Sequence, residues 1–108
     1  MAQQRIAAVS SDGIHVDGHF GKAERFSIYD VGDQISWVED RPTETLSVGD
    51  PGHPFDAEKF GRIASLLKDC TKVYVTQIGE KPAAELKALG IQPVVFKGGL
   101  AEIDPNAV

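Results

Sequence analysis

Ile6-Ala7-Ala8-Val9 is the stretch that most restricts the fold. It is a continuous apolar run in place of an alternating one, flanked by Arg5 and by Ser10-Ser11-Asp12-Gly13. A half-solvated strand alternates, whereas a run of this kind belongs to a strand buried on both faces, at the centre of a sheet with parallel neighbours. A first strand over Arg5–Ser10 is therefore expected, with Ser11-Asp12-Gly13 ending it.

The rest of the chain supplies partners for such a strand. Arg25–Val31 and Gln34–Glu39 are rich in aromatic and β-branched residues, and Gly32-Asp33 between them predicts an antiparallel hairpin. Trp37, Phe26 and Ile28 read as sheet packing. Arg41–Pro54 holds Pro42, Gly49, Pro51, Gly52 and Pro54 and reads as one long surface loop. Phe60, Ile63, Ala64 and Leu67 recur at helical spacing within Asp56–Lys68, with Asp56 as cap and Pro54 before it. Val73-Tyr74-Val75 reads as a short strand, Lys81–Leu89 as a second helix ended by Gly90, and Pro93–Phe96 as another strand. This order predicts a mixed α/β sheet, an antiparallel meander first and parallel strands with right-handed helical crossovers afterwards. Asp104-Pro105 has the form of a further helix start.

With 108 residues, 42% hydrophobic and 25% charged, one core and a single domain over 1–108 are expected. No apolar run approaches the length of a membrane span, and Met1–Arg5 leads into an apolar stretch too short for a secretory signal, so a cytoplasmic protein is expected. The net charge of −5 disfavours nucleic acid as a partner. The single cysteine, Cys70, can form no intramolecular disulfide, which agrees with a reducing compartment. It reads as a small core residue, with an accessible thiolate ligand as the alternative.

Chemistry is concentrated in His15-Val16-Asp17-Gly18-His19-Phe20-Gly21-Lys22-Ala23-Glu24-Arg25, which holds two of the three histidines, two glycines and two basic residues. Gly18 and Gly21 allow positive φ or close approach of the backbone to a ligand. On a helix His15 and His19 would share a face, but Asp17-Gly18 argues against a helix. In extended chain they lie up to about 13 Å apart, too far to share one metal ion. His19 is thus the better ligand candidate and His15 a bystander. Three roles are open to His19: closing the turn by a hydrogen bond, contacting a metal or cluster, or acid–base catalysis. Lys22 and Arg25, with N–H groups where Gly21–Glu24 begins to turn, favour an anionic ligand, which suits a preformed anionic cluster better than a bare cation. His53, in the long loop, is either an exposed loop residue or a second metal ligand that folds over the turn.

Ser11-Asp12-Gly13, His19-Phe20-Gly21-Lys22-Ala23-Glu24-Arg25-Phe26 with Ile28-Tyr29, Leu66-Leu67-Lys68-Asp69-Cys70, Ile78-Gly79 and Leu89-Gly90-Ile91 follow one another over nearly the whole chain. In that order they resemble the dinitrogenase iron-molybdenum cofactor biosynthesis family, which comprises carrier and accessory proteins of nitrogenase cofactor assembly and the C-terminal domain of the cofactor-precursor radical enzyme. The resemblance implies a ribonuclease H-like three-layer α/β fold with a mixed five-stranded sheet. It also implies non-catalytic binding and transfer of an iron–sulfur or iron–molybdenum cluster carried as cargo. The partners implied are a cluster-synthesising enzyme and an acceptor apoprotein, and neither nucleic acid nor membrane. His19 would be the protein ligand, Phe20, Gly21, Lys22 and Arg25 would complete the site, and His53 would be the loop's remaining ligand. The chain departs from many relatives in two places. Leu46–His53 contains no cysteine, and Gln77 stands where relatives carry an arginine before Ile-Gly. A regulatory or interaction module binding a simple metal ion or a partner protein is the alternative. A nuclease is disfavoured, because that chemistry needs a carboxylate in the middle of the first strand and Ile6–Val9 has none.

Overall fold

The computed structural model describes residues 4–12, 15–32, 35–44 and 57–99. The central strand is where the apolar run puts it. β1 (Gln4–Ala8) lies in the middle of a five-stranded sheet with β3 (Arg25–Val31) and β4 (Ile35–Pro42) on one side. On the other side lie β5 (Lys72–Val75) and β6 (Gln92–Val95). The pairs β1–β3 and β3–β4 are antiparallel, while β1–β5 and β5–β6 are parallel. Ile6, Ala7 and Ala8 are fully buried, as a strand covered on both faces requires. A second, two-stranded sheet pairs β2 (His15–Val16) with β7 (Gly98–Gly99).

Alternation along these strands sorts two apolar clusters. Ala7, Val9, Phe26, Ile28, Val73 and Val75 face α1 (Ala57–Ser65) and α2 (Glu80–Ala88), which bring Phe60, Ile63, Ala64 and Leu86 into the same cluster. Ile6, Ala8, Tyr29 and Tyr74 form the other, with Val16 of β2. Both described helices thus pack on one face, and among the described residues the other face is met by Val16 of the β2–β7 pair and by no helix. Asp104-Pro105, the anticipated start of another helix, lies outside the described residues, as do His53, Pro54 and Asp56.

Helix ends follow local chemistry. The stripe ending at Leu67 is buried, but α1 gives way after Ser65 to tighter i→i−3 turns, Leu66 N–H to Ile63 O, Leu67 N–H to Ala64 O and Cys70 N–H to Leu67 O. α2 closes on Gly90 at φ +85, with Ile91 N–H on Leu86 O at 2.9 Å and Gly90 N–H on Lys87 O at 3.1 Å. Those two bonds, with Leu86 and Ile91 both buried, form a Schellman close that favours glycine at position 90.

Two expectations about the hairpin are corrected. β4 continues through Arg41 and Pro42, so the irregular segment begins later than Arg41. Trp37 is 62% exposed and donates its indole N–H to Asp40, so it is not sheet packing. β4 is an edge strand, and a register shift between Ile28 and Tyr29 leaves Val38 as the extra residue; Val38, not Trp37, packs against the core.

An ion-pair network ties the sheet to the turn after α1. Arg5 of β1 reaches Asp30 of β3 at 2.8 Å and Asp69 at 3.2 Å. Arg41 of β4 forks onto both oxygens of Asp69 at 2.7 and 3.0 Å and also donates to Leu66 O. Hydrogen bonds from these guanidiniums hold both carboxyls below the usual carboxylate range, Asp69 through Arg41 above all and Asp30 through Arg5. Because the folded-state values are depressed, this contribution is present above about pH 4 and is lost as pH falls through the folded values. Arg41→Gln should lower the melting midpoint by a few degrees at neutral pH, and the gap to the unsubstituted chain should narrow in thermal melts run below about pH 4.

Candidate functional site

The His19 turn is held across the carboxyl ends of the two central parallel strands. Val9, just beyond β1, accepts from Asp17 N–H at 3.1 Å and donates to Tyr74 O of β5 at 3.0 Å. Beyond β5, Thr76 N–H donates to Gly18 O and Phe20 N–H donates to Gln77 O, each at 2.9 Å, and His19 bridges Gln77 in parallel register. Between β1 and β5 the strand order reverses, and in open α/β sheets ligands bind in the crevice outside the carboxyl ends at such a point.

Gly18 is needed for space. Its φ is not positive, and neither is that of Gly21, so neither glycine serves left-handed backbone here. A Cβ on Gly18 would overlap Val9 Cγ1 and lie 3.2 Å from Val9 Cβ. The close approach allowed by Gly18 is therefore to the chain's own first strand. Phe20 anchors the far side, fully buried with its ring centroid 5.8 Å from that of Phe26 and 6.4 Å from that of Phe60.

Phe20–Lys22 forms a 3-10 turn capped by His19. Gly21 N–H donates to His19 Nδ1 at 2.9 Å, so the turn-closing role is present. Nε2 has no hydrogen-bond partner among the described residues. Partial burial, and then the positive charge of Lys22, lower the His19 pKa below its ordinary value, which keeps the ring neutral at neutral pH.

Beside the turn lies a crevice of about 540 Å³ lined in part by Ser10, Ser11, Asp17, Gly18, Lys22 and Arg25. Asp17 accepts from Ser11 N–H at 3.0 Å, and Arg25 donates to Ser11 O at 2.9 Å, so the loop after β1 is tied to both ends of the turn. Of the four arginines, Arg5, Arg41 and Arg62 each pair with a carboxylate. Arg25 makes no ion pair among the described residues, and neither does Lys22, although Asp17 and Glu24 line the same crevice.

His15 stands apart, its Nδ1 3.0 Å from Asp12 and its N–H bonded to the same carboxylate. Cys70 is buried, and desolvation with the neighbouring Asp69 pushes its thiol up to about 12, which removes it as a ready thiolate ligand. Among the described residues no three His, Cys, Asp or Glu side chains converge as a metal cage. Asp17 and Gln77 were not singled out as site residues in the sequence. Gln77 acts through its main-chain oxygen, which no side-chain pattern could reveal, and this also means that the absent arginine does not loosen the turn.

Residues 3–105 match the family described as dinitrogenase iron-molybdenum cofactor. The chain belongs to this family. Protein NifX of Azotobacter vinelandii is 30% identical over 95 residues, covering 88% of this chain and 58% of that protein. Protein NifY of the same organism is 37% identical over 91 residues, covering 83% of this chain and 35% of NifY. The FeMo cofactor biosynthesis protein NifB of Klebsiella pneumoniae is 38% identical over 93 residues, 83% of this chain but 20% of NifB. The chain therefore spans less than two thirds of these relatives. The solution structure of a NifB-like Thermotoga protein superposes with a TM-score of 0.58 at 25% identity, covering 89% of this chain and 78% of that one. A Methanocaldococcus jannaschii crystal structure shares the fold at a TM-score of 0.52 and 12% identity, over 90% of this chain and 81% of that one. No helix among the described residues of this family member is long and apolar enough to cross a membrane.

Gly18→Ala should destabilise the protein by about 1–3 kcal/mol, the usual range for overpacking. Val9→Ala in the same background should recover part of that loss in urea melts, because it removes the atoms with which the new methyl collides.

Proposed function

We propose that this chain binds an iron–sulfur or iron–molybdenum cluster as cargo at the His19 turn and hands it on during nitrogenase cofactor assembly, without catalysing a reaction. The observation that carries this reading is the neutral imidazole of His19, fixed at the carboxyl ends of β1 and β5, beside Lys22 and Arg25, which form no ion pair among the described residues. Membership of a family named for the iron-molybdenum cofactor supports the choice of cargo, as do similarities to NifX, NifY and NifB.

Each named residue has a part. His19 makes the direct contact, while Phe20 and Gly21 set its position by burial and by the amide on Nδ1. Lys22 and Arg25 provide charge against an anionic cluster. His53, which lies outside the described residues, is proposed as a second contact to the cargo. A cluster bound by few protein groups is released readily, which suits a protein that passes its cargo from a synthesising enzyme to an acceptor apoprotein.

The test is anaerobic gel filtration with a thiolate-ligated four-iron, four-sulfur cluster, following visible absorbance with the protein. Co-elution is expected, and His19→Ala should weaken binding by about tenfold or more, as for a lost hydrogen bond to a charged group. Unchanged binding in His19→Ala would remove the turn as the site.

A further inference from the structure

The geometry points to His19 engaging its cargo as an Nε2–H hydrogen-bond donor, not as an iron ligand, with the Gly21 amide as the group that fixes this choice. The inference rests on cluster binding at this turn. A main-chain N–H can only donate, and Gly21 N lies 2.9 Å from Nδ1, so Nδ1 must present its lone pair. In the neutral ring the single proton is then on Nε2. A metal-bound histidine has the opposite arrangement: the ligating nitrogen offers its lone pair, and the other carries a proton donated to a carboxylate or carbonyl. At His19 that second proton would meet the Gly21 N–H head-on.

Turning the ring over to the other tautomer would cost more than one hydrogen bond. The same contact caps the 3-10 turn, whose next residue is the buried Phe20, itself tied to Gln77 O. Neither end of the turn is free to move aside, since Gly18 is pressed on Val9 and, just past the turn, Glu24 O accepts from Thr43 N–H at 2.9 Å. The sulfides and thiolates of an iron–sulfur cluster are anionic acceptors, the class of group that an Nε2–H beside Lys22 recognises. Such a contact is released without breaking an iron–nitrogen bond.

Full-length protein labelled with 15N at histidine separates the possibilities. Two-bond proton–nitrogen NMR of the cargo-free protein should place the His19 proton on Nε2, and a proton on Nδ1 would overturn the inference. With the thiolate-ligated four-iron, four-sulfur cluster bound and reduced, pulsed EPR of His53→Ala protein, which lacks the proposed loop contact, should show only weak 15N coupling. Strong coupling, the mark of an iron–nitrogen bond, would overturn the donor assignment while leaving cluster binding intact. A cluster that fails to co-elute at all would overturn the binding reading and this inference with it. His19→Gln keeps an amide donor near the Nε2 position but not the Nδ1 acceptor that caps the turn, so its binding should fall between that of His19→Ala and that of the unsubstituted protein. Binding no better than that of His19→Ala, with the Phe20 amide still protected from exchange, would count against the donor role.

Discussion

The backbone of Gly18 packed against Val9 is the contact on which the site depends. It brings the segment after β2 close enough for Asp17 to bond Val9, and for Gly18 and Phe20 to bond Thr76 and Gln77. The turn is thereby joined to the ends of two core strands and is not left as a loop. The cap from Gly21 to His19 then fixes the ring, and the buried Phe20 fixes the turn. Binding groups held in place before a ligand arrives lose less conformational entropy on binding, so few direct contacts would suffice for the proposed cargo.

Charge is divided in a corresponding way. Arg5 and Arg41 are spent on Asp30, Asp69 and Glu39, where they join β1, β3 and β4 to the turn after α1. Lys22 and Arg25 have no carboxylate partner among the described residues, and both line the crevice beside the turn.

The sheet was legible in the sequence because burial writes a pattern that is read locally. The apolar run at Ile6–Val9, the stripe from Phe60 to Leu67 and Gly90 after α2 each have one physical solution. Trp37 misled because β4 is an edge strand whose bulge at Val38 changes which residues face inward, and a bulge leaves no mark in composition. The three-layer expectation came from resemblance, and the described helices occupy one face only. In the site, His19, Lys22 and Arg25 stood out by residue type. Gln77 did not, because it works through a main-chain oxygen, and Gly18 was noticed for positive φ or a ligand's close approach, whereas the space it leaves is taken by Val9.

That the turn is built into the sheet before any cargo arrives is tested most directly by native-state hydrogen exchange of the Asp17 and Phe20 amides in the cargo-free protein. Both should exchange nearly as slowly as the Val9 amide, which bonds Tyr74 O in the core of the sheet. Exchange at the rate of an unprotected loop amide would contradict the account.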